Sequence, residues 1–350
     1  MGDEEERWNQ KKQTVIDQIV DRLINGDVAT KIQAAREIRS MIRNRKSSAK
    51  IRVKFADAGV IQPLVVLLCS QLHDAREVSL LALLNLASRN ESNKEQIVTC
   101  GAIPPLVKLL QFQNTSNLRE LATAAILTLS AASKNKQTIS DSGAIPLLIQ
   151  ILSCGSTQGR VDAVTALHNL TTSKEPPTIV LDATAAPPLI NLLKECKKYS
   201  KFAEKTTALI EIVSKSHEGI LAITKAEDGI LTLVETVEDG SLFSKQHAVG
   251  ALLELCMSSR IKYRELILNE GAIPGLLRLT VDGTYEARNK ARLLLDLLRD
   301  STPEKTLSLE NMVHEIAARV DGSEKTVETA KILLHDMAER SMNMASSCTP

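Results

Sequence analysis

The residue types that most often carry catalysis or hold metals are scattered along this 350-residue chain. The six histidines stand far apart, and the six cysteines include no C-x-x-C pair, so neither a zinc site nor a redox pair is indicated. No segment matches H-E-x-x-H, G-x-S-x-G or G-x-x-x-x-G-K-[ST]. We therefore expect no catalytic residue, no metal ion and no cofactor.

Two further features have simple structural interpretations. Residues 155–159 read GSTQG, which lacks the lysine of a phosphate-binding loop and is typical of a turn. His168 falls within a helical pattern, where we interpret it as a partly exposed helix residue rather than as a ligand. Neither feature predicts an enzyme.

The strongest charge feature is a basic run at 43–54, in which six of twelve residues are Arg or Lys. They are Arg43, Arg45, Lys46, Lys50, Arg52 and Lys54. One interpretation is a targeting signal or a surface for an acidic partner. The interpretation that we favour is a solvated junction between two repeats, where long side chains cover apolar surface.

Over the whole chain the charges balance, with 43 Lys and Arg against 42 Asp and Glu. This balance gives no bulk positive charge to attract nucleic acid. Aromatic residues make up only 2% of the chain, too few to form stacking platforms for bases. The N-terminus is acidic and polar, unlike a secretory signal, and the apolar runs are too short to span a bilayer. We expect a cytoplasmic or nuclear protein, or both, that binds neither nucleic acid nor the membrane interior.

The sequence repeats itself with a period close to 42 residues. Three near-copies of one segment, GAIPPLVKLLQ, GAIPLLIQILS and GAIPGLLRLTV, occupy residues 101–111, 143–153 and 271–281. Glycines open successive copies at intervals of 42 residues, at Gly59, Gly101 and Gly143. Degenerate copies begin near Thr184 and Asp228. A fixed period of this length is typical of a solenoid, in which each unit buries its apolar face against its neighbours.

Each period predicts three helices. A short first helix ends at the glycine, which permits a left-handed conformation, and a proline then begins the second helix. The third helix carries an A-L-x-N-L pattern, as at Ala82–Leu86. The earliest match, Ala34–Ile38, predicts an N-terminal repeat without a first helix, and the residues before Gly59 read as two helices.

The G-A-I-P-x-L corner and the A-L-x-N-L helix resemble the armadillo repeat family. The spacing N-K-x-x-I-x-x-x-G-A-I-P at 93–104 and 135–146, with the segment 283–300, looks most like the armadillo domain of plant U-box ubiquitin ligases and of their relatives that lack the U-box. The resemblance implies an all-α, right-handed superhelical solenoid of about seven repeats with a C-terminal helical cap. The segment before Gly59 is too short for a U-box, so we expect no ligase activity of its own.

The repeat pattern also predicts a domain organisation. We expect an N-terminal partial repeat or cap at 1–46, armadillo repeats at 47–302, a C-terminal helical cap at 303–343 and a flexible tail at 344–350. The cap is predicted because residues 309–320 and 323–342 read as two amphipathic helices, and a terminal repeat must hide its open apolar face.

The third helices carry the candidate binding residues. In peptide-binding armadillo proteins these helices line a concave face, and the Asn of A-L-x-N-L bonds the backbone of an extended peptide, so the resemblance implies that role here. The equivalent positions hold Glu37, Asn85, Thr128, Asn169, Glu211, Glu254 and Asp296. The six from Asn85 to Asp296 are all polar although Ala and Leu of the motif frame each of them, so we expect these six to project from the packed layer. We assign protein binding to Asn85, Thr128, Asn169, Glu211, Glu254, Arg292 and Asp296. For Asn85 and Asn169, plain exposure to solvent is the alternative.

Charge along this row indicates the chemistry of a partner. Glu211, Glu254 and Asp296 predict an acidic stripe in the second half, where Arg292 lies one turn from Asp296 and is expected to pair with it. Such a stripe favours a basic or polar segment. A solvated stripe without function is the alternative.

A nuclear import adaptor is disfavoured by the residues one turn earlier. The nuclear-transport members of the family carry Trp four residues before the polar position. This chain holds Leu81, Ala124, Thr165, Thr207, Gly250 and Arg292 there. We therefore expect a non-catalytic adaptor or scaffold that binds a protein or an extended peptide. A substrate-binding component in ubiquitination is the second possibility, and the partner, the pathway and the oligomeric state stay open.

Overall fold

A computed structural model describes residues 2–43, 48–111, 116–172 and 181–299 of the chain. Within these ranges the chain forms nineteen α-helices and two short 3-10 helices, and it forms no β-strand. The predicted C-terminal cap at 303–343 and tail at 344–350 lie outside the described residues, so the domain boundaries stay predictions.

The helices fall into three groups that recur along the chain. The first helices are α3 (Ser48–Asp57), α6 (Glu91–Thr99), α9 (Lys136–Asp141), α14 (His217–Lys225) and α17 (Arg260–Asn269). The second helices are α1 (Gly2–Asn25), α4 (Ile61–Leu68), α7 (Ile103–Leu110), α10 (Ala144–Cys154), α12 (Ala186–Glu195), α15 (Gly229–Asp239) and α18 (Ala272–Asp282). The third helices are α2 (Val28–Arg43), α5 (His73–Ala87), α8 (Ser116–Ser130), α11 (Thr157–Thr171), α13 (Lys201–Val213), α16 (Leu242–Ser258) and α19 (Tyr285–Leu298).

Helices of one group stack on helices of the same group in the next repeat. Along the third helices, α2 packs on α5, α5 on α8, α8 on α11, α11 on α13 and α13 on α16. Along the second helices, α7 packs on α10, α10 on α12, α12 on α15 and α15 on α18. Each repeat therefore buries its apolar faces against its neighbours, and the predicted all-α solenoid is confirmed.

The glycine corners have the backbone conformation that the sequence predicts. Gly59, Gly101, Gly143 and Gly271 have φ angles between 76° and 85°. A Cβ atom built at any of them would meet no other atom within 4 Å, so glycine is needed there for its φ angle and not for space.

The degenerate corners use other solutions. Asp228 takes the left-handed position with φ 55°, and Gly229 follows it as the first residue of α15. A Cβ atom at Gly229 would overlap the carbonyl oxygen of Ile223, so this glycine permits close packing instead. In the repeat near Thr184 a 3-10 helix, Ala183–Ala185, replaces the left-handed residue.

Buried asparagines fix the first helices to the preceding third helices. Asn93 donates from Nδ2 to the carbonyl oxygen of Leu86 at 2.9 Å, and Asn135 donates to that of Leu129 at 3.1 Å. Both asparagines are only 3% exposed. These bonds satisfy carbonyl groups at the ends of α5 and α8, which would otherwise be unpaired. The Asn of the N-K-x-x-I pattern is therefore a packing residue.

The N-terminal region differs from its prediction in one respect. Three helices precede Gly59, and not two: α1 and α2 form the partial repeat, and α3 is the first helix of the repeat that turns at Gly59. The sequence pattern does not reveal the short helix α3, because its residues belong to the basic run, whose charges dominate the pattern. Among the described residues no helix is long and apolar enough to cross a membrane.

Candidate functional site

The candidate site is the row of polar residues at one position of the seven third helices, which we call the third-helix row. Its members are Glu37, Asn85, Thr128, Asn169, Glu211, Glu254 and Asp296. Asp296 is exposed and the other six are partly buried, so every member reaches the surface, but their partners differ. The position alone therefore does not determine what each side chain can bind.

Two members of the row are bonded within their own helices. Asn85 donates from Nδ2 to the carbonyl oxygen of Leu81 at 2.6 Å, and Thr128 donates from Oγ1 to that of Ala124 at 2.8 Å. An amide nitrogen carries two hydrogens, and in the described part of the chain no donor bonds the side-chain oxygen of Asn85. Asn85 thus retains one donor and one acceptor for a partner.

Asn169 reaches across to the preceding third helix. Its Nδ2 lies 3.4 Å from the carbonyl oxygen of Leu127 and 3.2 Å from Oγ of Ser130, both on α8. Asn169, Thr128 and Asn85 line one open groove of about 440 Å³. The structure therefore brings together three residues that the sequence assigns to partner binding, from three successive repeats.

Glu211 does not belong to an exposed acidic stripe, and this prediction was wrong. Its Oε2 lies 2.6 Å from Nδ1 of His247 on α16, and its Oε1 lies 2.7 Å from Nζ of Lys290 on α19. The side chain is only 14% exposed. It enters the space beside Gly250, where a Cβ atom would overlap the carboxylate. A glutamate with two partners inside the helix stack is unavailable to a basic ligand.

Burial and ion pairing act in opposite directions on this group. Burial alone would raise the pKa of Glu211, but the hydrogen bonds from His247 and Lys290 outweigh it, and the pKa is lowered. For Lys290 burial would lower the pKa, but the hydrogen bonds to Glu211 and Glu286 outweigh it, and the pKa is raised. Both shifts favour the charged forms, so the ion pair persists at neutral pH.

The remaining acids of the second half are Glu254 and Asp296. Arg292 and Asp296 are both exposed on α19, yet among the described residues no ion pair joins them, contrary to the prediction. An exposed pair of this spacing gains only about 0.3–0.5 kcal/mol, which is too little to hold two side chains together. Among the described residues, Glu254 and Asp296 therefore have no ion-pair partner.

Glu37 is likewise held by a neighbour. The guanidinium of Arg22 on α1 contacts it through Nη1 at 3.0 Å and Nη2 at 2.5 Å. The hydrogen bond from Arg22 lowers the pKa of Glu37. This two-pronged pair attaches α1 to α2 across the partial repeat, so Glu37 stabilises the N-terminal end of the stack.

His168, adjacent to Asn169, is partly buried as predicted. Burial, together with the positive charges of Lys205, His247 and Lys136, lowers its pKa to about 4. The ring is therefore neutral at physiological pH. Within the described ranges no group of His, Cys, Asp and Glu residues could hold a metal ion.

The basic run contributes a residue that sequence reasoning left outside the site. Arg52 on α3 donates from Nε to the backbone carbonyl oxygen of Asn85 at 2.9 Å, whereas Lys54 contacts Gln13 on α1 at 3.3 Å. Residues of the basic run thus face two different surfaces: Arg52 faces α5, and Lys54 faces α1. The alternation of charges on α3 was the available signal, because residues two apart on a helix face different directions.

Comparison with known proteins agrees with this geometry. The family model of the armadillo/beta-catenin-like repeat matches residues 90–131 and 132–172, which are two consecutive repeats of the stack. Residues 90–172 are therefore armadillo repeats, and the chain has the armadillo repeat fold. Its relatives include U-box domain-containing protein 17 of Arabidopsis thaliana, which is 40% identical over 280 residues, or 79% of this chain and 37% of that protein.

Two further comparisons concern a second relative and a solved structure. U-box domain-containing protein 45 of Arabidopsis thaliana is 30% identical over 165 residues, or 46% of this chain and 21% of that protein. The armadillo chain thus spans little more than a third of the length of the first relative and about a fifth of the second. A crystal structure of an engineered protein matches the fold with a TM-score of 0.64 at 21% identity, over 90% of this chain and 76% of that one.

Proposed function

We propose that this armadillo repeat protein is a non-catalytic adaptor that binds an extended protein segment along the third-helix row. The observation that carries the proposal is the convergence of Asn85, Thr128 and Asn169 on one groove of about 440 Å³. Three residues of one helical position line this groove from three successive repeats.

The energetics suit a partner that makes repeated small contacts. One hydrogen bond to a partner backbone contributes about 0.5–1.5 kcal/mol, so a single amide cannot hold a peptide. Several amides at equivalent positions add up when one chain passes over them. Leu84, Leu127 and Ala131 also line the groove and supply apolar contact between the amides.

In the second half of the third-helix row, only Glu254 and Asp296 could contact a basic side chain of the partner. Glu211 is committed to Lys290 and His247, which leaves Glu254 and Asp296 as the acids available to a partner. A partner would therefore meet isolated negative charges and not a continuous acidic stripe. A basic side chain opposite either one would gain salt-sensitive attraction.

A second candidate function is substrate binding in ubiquitination. The 40% identity to U-box domain-containing protein 17 of Arabidopsis thaliana favours it. In that case the armadillo repeats would bind the protein to be modified, and another component would supply the ligase. A nuclear import adaptor is not favoured, because no Trp stands one turn before the polar row.

The proposal is tested by comparing what three forms of the protein retain from an extract. The first is the parent, the second carries Asn85→Ala with Asn169→Ala, and the third carries Asn191→Ala on the second helix α12. Asn191 is exposed and lies outside the row, so it controls for the loss of a surface amide. Circular dichroism must show equal helix content in all three.

We expect mass spectrometry to find proteins that the parent and the Asn191 variant retain and that the double variant loses. Purified candidates should then bind the parent directly, with an affinity about thirtyfold higher than for the double variant if each amide contributes about 1 kcal/mol. Equal retention by all three folded proteins would place the binding surface elsewhere.

A further inference from the structure

The end of α5 and its surroundings carry a group of cations, which we call the α5 basic cluster: Arg52, Arg89 and Lys94. Arg89 and Lys94 line the same groove as Asn85 and Asn169. Arg52 bonds the backbone oxygen of Asn85 at the edge of that groove. Positive charge is therefore concentrated where the proposed partner backbone would pass.

These charges are unmatched within the described part of the chain. None of the three cations forms an ion pair there, although many other basic residues do. Glu95, which lies on the same helix as Lys94, is paired instead with Lys134 at 2.8 Å. The charge of the cluster is consequently left for solvent or for an external anion.

Arg52 and Arg89 lie near enough to influence one another electrostatically. Arg89 has a φ angle of 56° and is one of two non-glycine residues in the described chain with a left-handed backbone. Burial, and then the positive charge of Arg89, lower the pKa of Arg52. An anion that binds between the partly buried Arg52 and the exposed Arg89 would relieve this repulsion.

A second depression with positive charge lies on the preceding third helix. A depression of about 370 Å³ is lined by Arg36, Arg39, Ser40 and Arg43 on α2, which packs against α5. Arg36 is paired with Asp74 at 2.8 Å. In contrast, Nε of Arg39 is buried and has no hydrogen-bond partner in the described part of the structure. Arg36, Arg39 and Arg43 on α2 therefore add positive charge to the repeat that precedes the α5 basic cluster.

We infer that the first half of the third-helix row receives an acidic stretch of the partner, a protein segment rich in Asp and Glu. Its carboxylates would pair with Arg89, Lys94 and Arg52, while its backbone passes Asn85. This inference rests on the proposed adaptor function and specifies the chemistry of the partner. It differs from the basic partner that the sequence predicted, because that prediction depended on acids in the second half.

A protein segment fits the groove better than a nucleic acid does. Amides and hydroxyl groups recur at repeat spacing with Leu84, Leu127 and Ala131 between them, which suits a polypeptide. The groove contains no aromatic residue on which bases could stack. Arg and Lys at its rim provide both planar two-pronged pairing and point charge for carboxylates.

The test measures fluorescence anisotropy with three labelled peptides of equal length on the full chain. They alternate Ser with Glu, with Gln or with Lys. The cluster variant carries Arg89→Asn with Lys94→Gln, because Asn tolerates the left-handed backbone of position 89. The charge-matched control carries Lys108→Gln with Lys225→Gln, on second and first helices outside the row.

We expect the parent and the charge-matched control to bind the Glu peptide about tenfold more tightly than the Gln peptide, an advantage that falls as salt is added. The cluster variant should lose this advantage. The inference is overturned if the Glu peptide binds no better than the Gln peptide. It is also overturned if both double variants weaken binding equally, or if a single-stranded oligonucleotide displaces the Glu peptide at lower concentration than the unlabelled peptide does.

Failure of this inference is distinguishable from failure of the adaptor proposal. If the Gln peptide binds as well as the Glu peptide and Asn85→Ala with Asn169→Ala weakens both, the row binds backbone without a preference for acid. The adaptor proposal would then stand and the acidic preference would fall. If the extract experiment shows equal retention by all forms, the adaptor proposal falls whatever the peptides do.

Discussion

The carboxylate of Glu211 occupies the space that the missing side chain of Gly250 leaves open. Glu211 lies on α13 and Gly250 on α16, and a Cβ atom at position 250 would overlap the carboxyl group. Through this gap Glu211 reaches His247 at 2.6 Å and Lys290 at 2.7 Å. The glycine costs helix stability, but it permits a buried ion pair.

We predict that Gly250→Ala destabilises the protein by about 1–2 kcal/mol, because loss of the buried pair outweighs the gain of roughly 1 kcal/mol that Ala brings to a helix interior. The measurement is the denaturant midpoint followed by circular dichroism. In a Glu211→Ala background no carboxylate fills the gap, so Gly250→Ala should become neutral or stabilising. A similar loss in both backgrounds would contradict the assigned role of Gly250.

The neutral ring of His168 predicts a pH dependence of stability. Its pKa is lowered from 6.5 to about 4 in the folded protein, so between these values the unfolded chain binds a proton that the folded chain does not. Stability therefore falls as the pH decreases from about 6.5 to about 4.

The fall due to this residue should be on the order of 1–2 kcal/mol, allowing for solvent near the ring. His168→Gln should remove that part of the slope. Titration of the His168 ring followed by NMR provides a direct check, and a midpoint near the ordinary value of 6.5 would refute the prediction.

The corner glycines offer a test of backbone conformation alone. Gly143 has φ 81° and no atom within 4 Å of a built Cβ, so a side chain there meets strain but no clash. Gly143→Val should cost about 1–3 kcal/mol, whereas Gly143→Asn should cost clearly less, since Asn tolerates this region. The denaturant midpoints of the two variants and of the parent measure these losses of stability. Equal losses would indicate that the corner is limited by packing.

The chain is predicted to lack ubiquitin-ligase activity of its own. All nineteen described helices belong to the repeat stack, which the resemblance assigns to binding. Incubation of the purified chain with E1, a panel of E2 enzymes, ubiquitin and ATP should yield no ubiquitin conjugates above those of a reaction without the chain. Conjugates that depend on the chain would refute the prediction, and a known ligase is the positive control.

The repeat architecture could be predicted from the sequence because its signals are local. Gly101 and Gly143 each mark a helix end by a conformation that other residues avoid, and the period of 42 residues repeats this signal. The third helix at Ala82–Leu86 follows from the same register. Such features depend on a few neighbouring residues, and one sequence contains all of them.

Which side chains of the third-helix row face solvent could not be predicted in the same way. Whether Glu211 faces solvent depends on Gly250, 39 positions away, and on Lys290, which is 79 positions away. A pattern within one repeat cannot report contacts between repeats. The sequence does contain one signal. Among the residues one turn before the polar position, Gly250 is the smallest, and the space that it leaves can hold the side chain of a nearby acid.

The pair of Glu211 with Lys290 has a consequence for the modularity of the array. In most solenoids each unit touches only its neighbours, and stability is a sum of unit and neighbour terms. Here α13 and α19 share an ion pair that passes the intervening α16. We therefore expect the three repeats of α13, α16 and α19 to open together as one block. A single repeat cannot be deleted from or duplicated within this block without separating the two charges, whereas Asn85 and Thr128, bonded within their own helices, leave the first half open to such rearrangement.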